Sequence, residues 1–255
     1  MDDLALALQL ADAADEITMA RFRADDLLVE TKPDMTPVSE ADRAVEQCMQ
    51  ELLAQSHPGD AVFGEEFGGD VAGARRWIVD PIDGTKGYVR GMPVWATLLA
   101  LQEEGEVTTA VVSAPAIGRR WWATKGGGAY TNREPARPLR VSGVRELADA
   151  QLSFGGFEEW QQTGRFDALL ALASKCWRTR GFGDFWQYML VAEGSAEICA
   201  DPTVSEWDLA APMLVVQEAG GTFTDFTGTA TAAGGSGLAS NGLLHEAALS
   251  LLTES

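Results

Sequence analysis

Two carboxylates, Asp80 and Asp83, stand three residues apart in the run Trp77-Ile78-Val79-Asp80-Pro81-Ile82-Asp83-Gly84-Thr85. The apolar lead-in reads as a buried strand ending at Asp80, which would carry that acid past a sheet edge, where open α/β sheets bind ligands. Pro81 bends the chain without leaving a donor unused. Asp83 can then fold back toward Asp80, the Ile82 carbonyl offers a neutral oxygen, and Gly84 lets backbone approach a ligand. Thr85 supplies an N–H and a hydroxyl. Upstream, Gly64-Glu65-Glu66 adds acid; downstream, Trp207-Asp208 opens a helical stretch. Hard, oxygen-seeking cations such as Mg²⁺ suit such acids, and free N–H groups at a helix start suit a phosphate.

Grouping carboxylates is costly. At about 4 Å and an effective dielectric near 20, each ionised pair repels by roughly 4 kcal/mol. A cation, or protonation, must relieve that repulsion. Each residue taken singly has a plainer reading: Asp83-Gly84 as a turn, Glu65 as a solvated acid, Asp208 as a helix cap beside a buried Trp, Asp42 as the partner of Ser39 in a capping box. The four features together point to metal-assisted phosphate chemistry.

These residues need a scaffold. Asp3–Arg23 places Leu4, Leu8, Ala11 and Ala14 on one helical stripe, and Ser39-x-x-Asp42 starts a second helix reaching about Ala54. Strands are expected at 77–79, 94–101 and 107–113, with Glu104-Gly105 as a hairpin turn, and 121–124 flanks a glycine turn. Arg133-Glu134-Pro135-Ala136-Arg137-Pro138 reads as the internal boundary, dividing residues 1–255 into lobes of about 1–138 and 139–255. Beyond it alternate strand 151–154, helix 166–173, strand 177–180, helix 185–193, strand 196–200, helix 209–219, strand 222–224, a small polar loop 227–237 and helix 243–252. Hairpins mixed with crossovers predict layered α/β sheets.

The 255 residues carry a net charge of -19, which argues against duplex nucleic acid as a partner. The longest apolar stretch, 94–101, is too short for a bilayer, so no membrane association is expected and the cytoplasm is the expected compartment. Cys48, Cys176 and Cys199 lack a C-x-x-C spacing and read as buried thiols. His57 and His245 lie outside the acid clusters and read as surface residues.

The acid pattern resembles the inositol monophosphatase superfamily of Mg²⁺-dependent phosphatases, over Lys32 to Gly221. The resemblance implies a layered αβαβα sandwich. It implies Glu65, Asp80, Asp83, Asp208 and the Ile82 carbonyl as metal ligands for two or three Mg²⁺ ions, with Mn²⁺ able to substitute. Gly84 and Thr85 would bind phosphate; Thr85 paired with Glu65 would orient the attacking water, with Asp42 and Lys32 at the cluster's edge. Homodimers are frequent in that family.

Further stretches resemble the histidinol-phosphate phosphatase branch: Lys32-Pro33-Asp34, 37–46, Val89-Arg90-Gly91, 93–98, Arg119-Arg120-Trp121-Trp122 and Gly183-Asp184-Phe185-Trp186. The implied substrate is a small phosphate ester, histidinol phosphate, with Arg180, Asp184, Asp201 and Tyr88 around it. Gly87 and Tyr88 depart from the usual Asn and Phe. The rivals are phosphatases of the same fold acting on inositol phosphate, fructose bisphosphate or an adenosine phosphosulfate-type nucleotide, and a non-catalytic acidic module. No G-x-S-x-G elbow or P-loop is present.

Overall fold

The computed structural model describes residues 2–33, 35–69, 73–132 and 138–253. Helix α1 (Asp3–Arg21) is capped by Asp2, whose side chain accepts from Ala5 N at 2.7 Å, and it buries Leu6, Leu10, Ala11 and Ala14. A short antiparallel ribbon, β1 (Val29–Thr31) and β2 (Pro37–Ser39), leads into α2 (Glu40–Ser56). Ser39 and Asp42 form the expected capping box there.

A seven-stranded sheet follows, built from β3 (Ala61–Gly64), β4 (Gly68–Gly69), β5 (Arg75–Asp83), β6 (Ala96–Glu103), β7 (Glu106–Ala114), β8 (Arg119–Thr124) and β9 (Gly128–Thr131), in the order β4-β3-β5-β6-β7-β8-β9. The short helix α3 (Thr85–Tyr88) leaves the end of β5. Glu104 and Gly105, both with positive φ (50° and 86°), make the two-residue hairpin between β6 and β7, the backbone that strand twist favours.

The second half forms a five-stranded sheet in the order β11-β10-β12-β14-β13. Its elements are β10 (Gln151–Phe154), α4 (Phe157–Gln162), α5 (Phe166–Lys175), β11 (Arg178–Arg180), α6 (Asp184–Ala192), β12 (Ile198–Asp201), α7 (Glu206–Glu218), β13 (Thr222–Thr224), β14 (Gly237–Ser240) and α8 (His245–Thr253).

Three apolar clusters define the layers. Leu6, Leu10, Val45 and Met49 of α1 and α2 pack on Trp77, Val79, Leu99 and Val111 of the large sheet. On its other face Ile78, Leu98 and Val112 meet Phe185, Met189, Leu209 and Leu214 of α6 and α7, which also touch Cys199, Phe223 and Ala239 of the small sheet. The outer face of the small sheet carries Leu152, Ile198 and Leu238 against Trp160, Leu169, Leu172 and Leu252. The layering is α/β/α/β/α, as the resemblance implied. Strand β5 is buried on both faces, hence its continuous apolar run. Helix α7 is buried from Leu209 to Val216 all round, as a middle layer requires.

Several expectations change. The strand does not end at Asp80 but runs to Asp83 through a bulge. Residues 237–240, at the end of the expected loop, pair as β14, where Gly237, Leu238 and Ala239 are too small and few to signal a strand by alternation. His245 is 3% exposed rather than superficial: its ring nitrogens lie 3.0 Å from Thr224 Oγ1 and 3.1 Å from Ser240 Oγ. The three cysteines are free, but Cys48 and Cys176 are only half-buried. Residues 133–137 of the expected boundary, and Asp34, lie outside the described residues.

Candidate active site

The bulge explains why Asp80 and Asp83 can cooperate. In a regular strand, residues three apart face opposite sides. Here Asp80 opposes Leu98 and Asp83 opposes Ala96, so β5 holds one residue more than β6 between these pairs. The additional residue restores parity and aims both acids the same way. Thr97 Oγ1 donates to the Pro81 carbonyl at 2.8 Å and Asp80 Oδ1 accepts from Ile82 N at 3.0 Å, which fix the irregularity.

Asp208 comes from the middle layer. It is the third residue of α7, where Ser205 caps and Ser205 N donates to Asp208 Oδ2 at 2.8 Å. Asp42 repeats the arrangement on α2, its Oδ2 accepting from Ser39 N at 2.8 Å. Each capping box commits one carboxylate oxygen to the helix start and leaves the other for the site. The Ser205-x-x-Asp208 signature was present in the sequence and is the signal that locates the true start of α7, three residues before the expected Leu209.

Carboxylate oxygens of Asp80, Asp83 and Asp208 lie within 4.8 Å of one another. Burial, then the charges of Glu65, Asp83 and Asp208, pushes the Asp80 carboxyl far above its ordinary range. Burial and the charges of Asp184 and Asp208 do the same to Asp83, and burial with Glu65 nearby raises Asp208 to about 7. Three acids in this state call for a counter-charge. An all-oxygen donor set of this density fits a hard divalent cation such as Mg²⁺.

The flanking residues are each held by a neighbour. Glu65 Oε1 accepts from Lys32 Nζ at 2.7 Å, and the same ammonium reaches Glu66 Oε1 at 2.7 Å. The Thr85 hydroxyl lies 2.8 Å from the Ile82 carbonyl and 3.2 Å from Asp42 Oδ1. Thr85 is thus joined to Asp42, and Glu65 to Lys32. Gly84 has φ +86°, and a Cβ there would meet Val94 O at 3.2 Å and Asp184 Oδ2 at 3.3 Å, so the turn demands glycine twice over.

A cavity lined by Glu65, Asp80, Asp83, Gly84, Thr85 and Asp208 holds this cluster. A larger one adjoins it and takes in Asp184 and Asp201. Asp184, the first residue of α6, sits at φ +49° beside the Phe185 N–H that donates to Asp83; such backbone is uncommon outside glycine and gathers at functional sites. Two expected substrate residues are not brought here. Tyr88 is 1% exposed, packed between Phe22 and Trp95 with its hydroxyl on Thr18 O. Arg180 is exposed on β11 and donates to its neighbour's carbonyl. Glu158, Glu159 and Lys86, which do line the larger cavity, carry no sequence signal beyond their charge.

This chain, with a buried acid cluster between a bulged strand and a capped middle-layer helix of an α/β/α/β/α sandwich, belongs to the inositol monophosphatase family, matching it over residues 2–255. Within it, the chain is 53% identical to a histidinol-phosphatase of Streptomyces coelicolor, over 100% of this chain and 98% of the relative. It is 54% identical to a histidinol-phosphatase of Mycobacterium tuberculosis, over 98% of both chains. Among solved structures it is similar to an IMPase of Thermotoga maritima, with a TM-score of 0.87, 30% identity and coverage of 99% of this chain and 97% of that one.

Proposed function

We propose that the chain is a Mg²⁺-dependent phosphomonoester hydrolase acting on histidinol phosphate. The observation that carries the reading is the convergence of Asp80, Asp83 and Asp208 beside the Gly84-Thr85 turn, in a chain similar along its whole length to histidinol-phosphatases. Glu65, Asp80, Asp83, Asp208 and the Ile82 carbonyl would hold two or three Mg²⁺ ions, with Mn²⁺ as a substitute. Bound there, the ions supply Lewis-acid polarisation of the phosphoryl group and of the attacking water.

The protein's own groups do the rest. The N–H groups of Gly84 and Thr85 bind and orient the phosphate, and attack is in line with the departing alkoxide. Glu65 and the Thr85 hydroxyl orient the water, and the contact between Thr85 Oγ1 and Asp42 gives its proton a path to a buried carboxylate whose affinity for protons is raised by burial. Asp184 and Asp201, which line the adjoining cavity, would face the alcohol part of the ester.

No helix among the described residues is long and apolar enough to cross a membrane. We assign the enzyme to the cytoplasm, where free thiols persist, and take a homodimer as its assembly, to be checked by sedimentation. The deciding assay is phosphate release from histidinol phosphate against inositol 1-phosphate, each with and without Mg²⁺. Metal-dependent preference for histidinol phosphate is the expected result. Preference for the inositol ester, or no release from any ester, removes the reading.

A further inference from the structure

The larger cavity, of about 790 Å³, is electrically lopsided. Beyond Asp83 and Asp208 it is lined by Glu158, Glu159, Asp184 and Asp201, and among its described lining residues Lys86, next to the phosphate turn, is the sole base. Acids elsewhere, such as Asp15, Glu193 and Glu206, are paired with arginines. None of the four cavity acids takes part in an ion pair among the described residues.

Asp201 is the most constrained of them. It is 4% exposed, and the Tyr188 hydroxyl (2.7 Å) and the Gln187 amide both donate to its Oδ2. Its Oδ1 is left without a donor among the described residues. A Cβ built on Gly155 would lie 2.9 Å from that Oδ1 and 3.1 Å from Glu159 Oε2, so the two oxygens face one space over the glycine. The Gly155 backbone is outside the left-handed region, so its conformation does not need glycine; the open space between the two acids does. Burial holds both carboxyls above their ordinary range, against the opposing charge of Lys86 at Glu159 and the Tyr188 hydroxyl at Asp201.

We propose that Glu159 and Asp201, converging over Gly155, form the seat for a protonated amine on the substrate, and that Glu159 is a specificity-determining residue of the site. The inference rests on the phosphatase reading above and narrows its substrate class: a short phosphate monoester that carries an ammonium on its alcohol part. An ammonium placed there makes charge-assisted hydrogen bonds to both carboxylates. A neutral ester leaves the two acids facing one another, so the seat also selects against neutral esters.

The test compares histidinol phosphate with its N-acetyl derivative, which keeps the imidazole and phosphate but loses the ammonium charge. Glu159→Gln, nearly isosteric and thus able to fold, should reduce the wild-type preference in kcat/KM by about tenfold or more. The loss should appear in KM for histidinol phosphate rather than in kcat, and Glu159→Asp should recover part of the preference. An unchanged preference ratio in Glu159→Gln, or a fall confined to kcat, with histidinol phosphate still turned over, overturns the seat alone. Wild-type protein that hydrolyses glycerol 2-phosphate but neither histidinol ester removes the histidinol phosphate reading and the seat together.

Discussion

Replacing Asp208 with Asn should stabilise the metal-free protein while abolishing turnover. Burial and the neighbouring Glu65 charge raise this carboxyl from 3.8 to about 7 in the folded protein. Between those values the native state retains a proton that the unfolded chain has released. Native stability therefore falls as pH rises from about 4 to 7 and levels off above, whereas below pH 4 nothing is lost. A shift of that size corresponds to at most about 4 kcal/mol. Asp80 and Asp83 compete for the same protons, which brings the expected effect to roughly 2–4 kcal/mol, or about 5–10 °C in Tm for a chain of this length.

Asn carries no charge, and its side-chain oxygen can still accept from Ser205 N, so the start of α7 is preserved. Melting curves in EDTA at pH 5 and pH 8 test the argument. The variant should melt well above wild type at pH 8 and close to it at pH 5, and saturating Mg²⁺ should raise the wild type much more than the variant. An Asp208→Asn protein that melts at or below wild type in EDTA at pH 8, or that keeps the wild-type pH slope, would refute the claim that like charge destabilises the empty cluster.

Asp83→Asn should fold but lose at least about a hundredfold in phosphate release, as removal of a transition-state electrostatic contact does; in wild type, EDTA should abolish turnover and added Mg²⁺ restore it. Gly84→Ala should cost about 1–2 kcal/mol in thermal stability from its left-handed backbone and raise KM, both measurable on one preparation. Ser205→Ala should lose about 1 kcal/mol of capping, read by denaturant unfolding, yet leave Mg²⁺ binding by calorimetry near the wild-type value, because the backbone N–H that holds Asp208 is retained. His245 is buried neutral, with its pKa held below the ordinary 6.5 by desolvation. The unfolded chain gains a proton below pH 6.5 that the native state resists, so stability declines as pH falls; imidazole NMR showing a native pKa at or above 6.5 would contradict this.

Much of the architecture was legible because its signals are local. The stripe of α1, the Ser39–Asp42 box and the double-faced apolar run of β5 are properties of neighbouring residues and fix elements directly. The acids Asp80, Asp83 and Asp208 were legible as a set because carboxylates beside a glycine turn and at a helix start have few uses in common besides holding cations. The sequence thus determined many of the elements, though not β14 or the end of β5, and what chemistry the acids could serve.

Only the tertiary structure decided who meets whom. The bulge between Asp80 and Asp83 exists because β5 must keep its pairing with β6 while holding one residue more. Tyr88 was drawn into the aromatic cluster with Phe22 and Trp95 because burying a ring outweighs exposing its hydroxyl, which finds Thr18 O instead. Glu159 and Asp201, 42 positions apart, face each other only because α4 and the end of β12 close over Gly155. Contacts between distant segments depend on packing of the whole chain, and residue types and short spacings do not encode them.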